Sequence, residues 1–111
     1  MDCRSTLSLI VMNFYQLCEK FLQDLSDKIE NLDSNSNLEL EYIDGILKIV
    51  INKNKKTFIV NRNSGNQKIW YSSPFSGADY FSYNDLQNKW LNSKNVELFD
   101  KLFLELKPYL F

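Results

Sequence analysis

The stretch that decides the fold lies near the middle of the chain. Residues 61–83 read Asn-Arg-Asn-Ser-Gly-Asn-Gln-Lys-Ile-Trp-Tyr-Ser-Ser-Pro-Phe-Ser-Gly-Ala-Asp-Tyr-Phe-Ser-Tyr. Lys68 and Trp70 alternate with Ile69 and Tyr71, which predicts a strand that turns the tryptophan to one face and the isoleucine to the other. The proline and glycine that follow indicate a turn, because they favour the backbone angles that turns require. A second aromatic strand comes after this turn.

Hydrophobic spacing predicts the elements on either side of this stretch. Apolar side chains recur at three- and four-residue steps, as in a helix with one buried stripe, at Phe14, Leu17, Cys18, Phe21, Leu25 and Ile29. Asp44-Gly45 separates two apolar runs and predicts a hairpin. Strands are predicted at residues 38–43, 46–51, 57–60, 68–71, 80–83 and 89–92. A closing helix is predicted at residues 96–106, ending before Pro108.

The order helix, antiparallel meander, helix predicts the fold class. It is typical of a two-layer α+β sandwich, with an antiparallel sheet of five to six strands covered on one face by the N- and C-terminal helices. At 111 residues and 44% hydrophobic content, we expect a single domain, residues 1–111. Residues 1–13 are expected to be a flexible or targeting-like N-terminus. No run approaches the about 20 apolar residues that cross a bilayer, so no membrane partner is expected.

Composition excludes several kinds of chemistry and reveals an uneven charge distribution. The chain has no histidine and two cysteines, Cys3 and Cys18, 15 positions apart. Most zinc sites and Ser-His or Cys-His nucleophiles are therefore excluded, and Cys18 is expected to pack as a small apolar residue. Residues 1–45 hold nine acids and three bases (−6), whereas residues 46–111 hold five acids and ten bases (+5). This separation, more than the net charge of −1, should govern encounters with cations and charged partners.

The central stretch resembles the frataxin family. The family's run of Asn, a basic residue, a later Asn and Ile-Trp, leading into Ser-Ser-Pro-x-Ser-Gly, matches Asn61, Arg62, Asn66, Ile69, Trp70, Ser72, Ser73, Pro74, Ser76 and Gly77. The resemblance covers about residues 14–106 and implies the same two-helix, one-sheet fold. It also implies a regulator of iron–sulfur cluster assembly that binds the cysteine desulfurase and its scaffold protein. The implied location is the mitochondrial matrix or a mitochondrion-derived organelle, with the bacterial cytoplasm as the alternative.

Two groups of residues could carry this function. The partner surface implied by the resemblance is an exposed sheet face with an outward tryptophan beside amides and cations, namely Asn61, Arg62, Asn63, Asn66, Lys68 and Trp70. Tyr80 and Tyr83 stand where many relatives carry a basic residue and a tryptophan. A tryptophan half-buried under a loop is the structural alternative for Trp70.

The second group is an acidic ridge on the first helix, the loop after it and the first hairpin, formed by Asp24, Asp27, Glu30, Asp33, Glu39, Glu41 and Asp44. Oxygen ligands on an exposed surface suit Fe²⁺ or Fe³⁺ and should bind them weakly. The alternative is that these acids only solvate the helix and the hairpin. We expect a monomer, with metal-induced oligomers as the alternative state.

Other functions remain open at this point. Lys53, Lys55, Lys56, Arg62 and Lys68 lie near Trp70 and Tyr71 and suggest a stacking platform for nucleic acid, although the sequence pI of about 5.4 opposes it. An iron-oxidising or iron-storage protein is a further alternative. Ser72, Ser73 and Ser76 are interpreted as turn residues and not as nucleophiles, because no suitably placed base accompanies them.

Overall fold

A computed structural model describes residues 13–111. The chain forms helix α1 (Phe14–Leu32), six strands and helix α2 (Leu98–Leu110). The strands are β1 (Leu38–Ile43), β2 (Ile46–Ile51), β3 (Thr57–Asn63), β4 (Lys68–Ser73), β5 (Gly77–Asn84) and β6 (Lys89–Leu91). They form one antiparallel sheet in the order β1-β2-β3-β4-β5-β6. The two-layer α+β prediction is confirmed.

Side-chain hydrogen bonds order the chain at both ends of helix α1. The Asn13 side chain accepts a hydrogen bond from the Gln16 amide at 2.8 Å, and the Gln16 side chain accepts one from the Asn13 amide at 3.1 Å. This reciprocal pair satisfies two amides that a helix start leaves free. At the other end, Asp33 accepts hydrogen bonds from the amides of Asn37 and Leu38, and so directs the chain into β1.

Both helices pack on the same face of the sheet. Their buried residues recur at helical spacing and are Cys18, Leu22, Leu25, Ile29, Leu98, Leu102, Leu106 and Leu110. The strands contribute every second residue to this core, chiefly Leu47, Ile49, Ile51, Phe58, Val60, Ile69, Tyr71, Phe81 and Trp90. The opposite face of the sheet carries no helix among the described residues.

The predicted end of α2 is wrong, because Pro108 lies inside the helix. A proline in a helix interior costs about 3 kcal/mol, but here only two helical residues follow it. Leu110 is fully buried, the Tyr109 ring stacks on Phe75 with centroids 5.8 Å apart, and Asn37 Nδ2 donates to the Tyr109 carbonyl at 2.9 Å. These contacts hold the last turn in helical form.

Three further expectations concern Cys18, membrane-spanning helices and the N-terminus. Cys18 is fully buried, as predicted, and burial raises the pKa of its thiol to about 12, although the Arg62 charge opposes the change. No helix within residues 13–111 has the length and apolar content needed to cross a membrane. The predicted flexible or targeting-like N-terminus and Cys3 lie outside the described residues, except for Asn13.

Two turn glycines provide a test of the packing around the first hairpin. Gly45 has φ +77° and Gly77 has φ +88°, angles that cost other residues about 1–2 kcal/mol. A Cβ at Gly45 would overlap the Arg62 guanidinium, whereas a Cβ at Gly77 would meet nothing within 4 Å. We expect Gly77→Ala to lower the free energy of unfolding by about 1–2 kcal/mol and Gly45→Ala by about 1 kcal/mol more. Urea denaturation measures both, and equal losses would contradict the predicted contact with Arg62.

Candidate functional site

The helix-free face of the sheet carries the outward residues of β3, β4 and β5. Asn61 pairs with Trp70 across β3 and β4, and Trp70 pairs with Tyr80 across β4 and β5. In β4 the buried residues are Ile69, Tyr71 and Ser73, while Lys68, Trp70 and Ser72 are partly exposed. Trp70 therefore projects away from the helices, and the alternation predicted from the sequence is confirmed.

Arg62 does not share this face, and its placement beside Trp70 in the sequence analysis is wrong. Strand β3 buries Phe58 and Val60, so the alternation that sends Asn61 outward sends Arg62 to the helix side. The Arg62 side chain is 15% exposed and its guanidinium lies 4.3 Å from the centre of the Tyr15 ring. A side chain held there is not available on the outer face.

Arg62 instead links three elements on the helix side. Its Nη1 lies 4.0 Å from Glu19 of α1, and its Nη2 lies 3.8 Å from Asp44 in the β1–β2 turn. The Arg62 amide donates to the Gly45 carbonyl at 2.9 Å. Glu19 also accepts a hydrogen bond from the Tyr42 hydroxyl at 2.6 Å, and burial together with this contact raises the pKa of Tyr42. Arg62 therefore positions the first hairpin against α1.

The remaining polar residues of the predicted partner surface shape the turn between β3 and β4. Asn63 Oδ1 accepts from the Gly65 amide at 3.1 Å, and Asn66 Oδ1 accepts from the Lys68 amide at 3.2 Å. The side chains of Asn63 and Asn66 therefore stabilise the turn, and both residues remain at least partly exposed. Asn61 Nδ2 donates to the Arg62 carbonyl at 3.1 Å.

The serine-rich turn after β4 is fastened to α2 through Glu105. The Glu105 carboxylate accepts hydrogen bonds from Ser73, from the Tyr71 hydroxyl at 3.2 Å and from the Ser76 hydroxyl at 3.0 Å. Ser73 Oγ accepts from the amides of Phe75 and Ser76. The turn interpretation of these serines agrees with this geometry. Burial, with the Glu105 charge beside it, raises the pKa of Tyr71.

A second link from the sheet to α2 lies beside this turn. Asp79 Oδ2 accepts from Lys101 Nζ at 3.1 Å and from Asn92 Nδ2 at 2.9 Å, and Asp79 Oδ1 accepts from the Tyr80 amide at 2.8 Å. Burial alone would raise the pKa of Asp79, but these hydrogen bonds and the Lys101 charge outweigh it and lower the pKa below 3.8. The backbone of Tyr80 is therefore held from the helix side.

The acids of α1 do not converge on one point. Asp24, Asp27 and Glu30 are exposed, but at about 100° per residue Asp24 and Glu30 lie about 120° apart around the helix. Asp24 forms an ion pair with Lys20 at 3.2 Å, and Asp27 accepts from the Gln23 side chain at 3.2 Å. Within residues 13–111, no three acidic or cysteine side chains stand close enough together to hold a metal ion.

The other predicted metal ligands have different surroundings. Asp33 is 8% exposed, and both of its oxygens accept backbone hydrogen bonds. Glu39 and Glu41 lie on the outer side of β1, where Glu41 pairs in register with Lys48. Asp44 is exposed but lies 3.8 Å from Arg62. Carboxylate oxygens suit iron ions, and in this arrangement an ion would meet one or two carboxylates and water.

Sequence reasoning missed the two isoleucines of the outer face and the role of the second tryptophan. Ile43, Ile46 and Tyr80 are 61%, 47% and 41% exposed and lie in register with Asn61 and Trp70. Strand alternation around Asp44-Gly45 could have identified the two isoleucines. Trp90, in contrast, is 2% exposed and packs against the rings of Phe14, Phe21 and Tyr83.

The platform required by the nucleic-acid alternative is not assembled. Tyr71 is fully buried, and Arg62 lies on the helix side. Lys53, Lys55 and Lys56 sit in the turn between β2 and β3, and Lys56 lies over the Phe75 ring at 5.6 Å. Base stacking needs exposed aromatic faces beside cations, and these side chains do not provide them together with Trp70.

Comparison with known proteins gives consistent matches. The family model described as "Frataxin-like domain" matches residues 8–110. The chain is 29% identical over 85 residues to the mitochondrial frataxin of Dictyostelium discoideum, covering 74% of this chain and 44% of that protein. It is 29% identical over 86 residues to the iron-sulfur cluster assembly protein CyaY of Thioalkalivibrio sulfidiphilus, covering 78% of each. The chain thus spans less than half of the Dictyostelium relative.

Solved structures match the fold. The trimeric frataxin from the yeast Saccharomyces cerevisiae, complexed with ferrous iron, superimposes with a TM-score of 0.72 and 22% identity over 96% of both chains. A frataxin from Psychromonas ingrahamii superimposes with a TM-score of 0.73 and 22% identity, covering 87% of this chain and 91% of that one.

The Asp79 link predicts an acid dependence of stability. Because the folded-state pKa of Asp79 is lowered, its contribution is fully present above the unfolded-state value near 3.8 and is lost as the pH falls through the folded-state pKa. We expect Asp79→Asn to lower the free energy of unfolding by about 1–2 kcal/mol at pH 7. The difference from the parent should shrink below about pH 4, as measured by urea denaturation across pH. A difference that stays constant into strong acid would contradict the link.

Proposed function

This chain belongs to the frataxin family, and we propose that it is an iron-binding regulator of iron–sulfur cluster assembly. In this proposal it binds the cysteine desulfurase and its scaffold protein and modulates sulfur transfer and iron delivery. The observation that carries the proposal is the outward Trp70, in register with Asn61, on the sheet face that the two helices leave open.

The partly exposed, outward-facing Trp70 supports the partner-binding part of the proposal. Tryptophan is enriched at the energetic centres of protein interfaces, where a large ring enters a desolvated pocket. Asn61 lies directly beside it, and Lys68, Asn63 and Asn66 lie at the same end of the sheet. Partner contacts are proposed for these five residues. Arg62 is proposed to act indirectly, by holding the β1–β2 turn and α1 behind them.

Regulation by binding fits the chemistry of the described residues. The thiol of Cys18 is buried and its pKa is raised, and the hydroxyls of Ser73 and Ser76 are engaged with Glu105. Because these three described nucleophiles are buried or engaged, we propose that the chain acts through differential affinity for the conformations of its partner. We therefore propose that it shifts the desulfurase complex between states and does not carry the sulfur itself.

Iron is proposed as cargo, bound weakly at exposed carboxylates. Asp27 and Glu30 are the best candidates on α1, because Asp24 is paired with Lys20 and Asp33 caps the backbone. The −6 charge of residues 1–45 raises the local concentration of cations near these groups. Glu39, Glu41 and Asp44 would add to this field from the first hairpin.

The cellular location and the oligomeric state of this chain are proposed from those of its relatives. One relative named above is a mitochondrial frataxin and the other is bacterial. We propose the mitochondrial matrix or a mitochondrion-derived organelle, with the bacterial cytoplasm as the alternative. A monomer is proposed as the resting state, with metal-induced oligomers as the alternative, and the yeast frataxin named above is trimeric.

Replacing Trp70 tests the partner surface. Trp70→Ala should weaken binding to the purified desulfurase–scaffold complex by about tenfold or more, because hot-spot truncation costs about 2 kcal/mol. Its melting temperature should stay close to the parent's, since Trp70 lies outside the core. Phe111→Ala removes another exposed aromatic, 75% exposed, and should leave binding unchanged. A large loss of stability with unchanged binding would assign Trp70 a structural role instead.

Neutralising the helix acids tests the iron proposal. The variant Asp27→Asn/Glu30→Gln should lower Fe²⁺ affinity about thirtyfold in an anaerobic titration at low ionic strength, because each of the two removed charges attracts a divalent ion by about 1 kcal/mol at roughly 8 Å in water. The variant Asp85→Asn/Asp100→Asn removes the same charge from two other exposed positions and should change affinity less. Equal effects of the two variants would show that α1 holds no preferred iron site.

A further inference from the structure

One row of uncharged side chains crosses the outer face of the sheet. Across neighbouring strands, Ile43 pairs with Ile46, Ile46 with Asn61, Asn61 with Trp70, and Trp70 with Tyr80. We call these five residues the neutral row. Strands lie about 4.8 Å apart, so the row is about 19 Å long. Four of its members are apolar or aromatic.

Charged residues border part of the neutral row but do not enter it. On one side, two positions along the strands, the neighbouring row begins with Glu41 and Lys48 and continues with the uncharged Ile59, Ser72 and Ala78. On the other side, Asn63 pairs with Lys68. An apolar and aromatic centre with a polar rim is the anatomy of a protein interface core.

We propose that the neutral row seats an uncharged, apolar surface of the desulfurase–scaffold complex, with Ile43, Ile46 and Tyr80 as specificity-determining contacts beside Trp70. This inference rests on the proposed function. Tyr80 pairs with Trp70 and presents an exposed, uncharged ring at the β5 end of the row, so the contact proposed at this position is apolar. The exposed isoleucine pair extends the contact across the first hairpin.

The lack of charge in the neutral row indicates an uncharged partner surface, and its small area indicates a contact that extends beyond the row. A charged group facing five uncharged side chains would lose water and gain no ion pair. A strip about 19 Å long and one residue wide also covers far less than the about 800 Å² per partner of a standard interface. The row therefore suits the centre of a larger contact that continues from Trp70, and it is too small to hold a stable pair of identical chains by itself.

A pair of serine substitutions tests the isoleucines. Ile43→Ser/Ile46→Ser should weaken binding to the purified desulfurase–scaffold complex by about tenfold, with a melting temperature close to the parent's because both side chains are exposed. The matched control is Leu86→Ser/Leu104→Ser, which removes two leucines that are 95% and 67% exposed elsewhere on the chain. This control should bind as the parent does.

Substitutions at Tyr80 test the chemistry of the facing surface. Tyr80→Phe keeps the ring and should retain binding, whereas Tyr80→Arg places a cation in the neutral row and should weaken binding about tenfold or more. Stronger binding by Tyr80→Arg would show that an acidic partner surface faces this position, and would overturn the proposal.

The remaining outcomes separate this inference from the proposed function. One outcome is that the parent and the double-serine variant bind the complex equally while Trp70→Ala does not. The proposed contact of the neutral row is then overturned, and the proposed function stands. If the parent fails to bind the complex at all, the proposed function fails first. Self-association of the parent that is lost in the double-serine variant would assign the row to a second copy of this chain and would also overturn the proposal.

Discussion

The register of the central strands is the constraint on which the outer surface depends. Val60, Ile69 and Phe81 must face the helices to complete the core, and Asn61, Trp70 and Tyr80 consequently face away from it. A slip of one residue in β4 would exchange the two faces, burying Lys68 and exposing Ile69. The burial of the core thus fixes the position of the outward indole, without any direct contact that selects it.

Helix α2 reinforces this register through two polar links. Glu105 holds the turn that joins β4 and β5, and Lys101 holds Asp79 in the middle of the β5 strand. Hydrogen bonds to charged groups are worth more than those between neutral groups, and both links lie on the helix side. The residues that position the outer face are therefore separate from those that form it, so the outer face can vary without loss of the scaffold.

The sequence predicted the elements well and the contacts of charged residues less well. Alternation and helical spacing are local properties, and they correctly assigned six strands, the first helix and the outward Trp70. The motif groups Arg62 with the outward residues, but Arg62 lies two positions after the buried Val60 in β3, and strand alternation therefore sends both to the helix side. Pro108 predicts the end of a helix because the cost of a helical proline is local, whereas the burial of Leu110 that offsets this cost is a tertiary effect. Helical periodicity places the acids of α1 on its exposed side, as the structure shows, but it spreads them over about 120° and so does not bring them to one point.

The two charged halves of the chain and the neutral row act over different distances. The acids near α1 and the first hairpin create a field that extends about 8–10 Å at physiological ionic strength and favours cations without selecting among positions. The neutral row can act only on contact, since apolar burial has no long-range component. In the proposed function, cation attraction therefore depends on ionic strength, whereas recognition of the partner depends on the shape of its apolar surface. In the proposed function, iron binding and partner binding can vary independently, because the carboxylates lie outside the neutral row and one placed among Ile43, Ile46 and Trp70 would weaken the proposed partner contact.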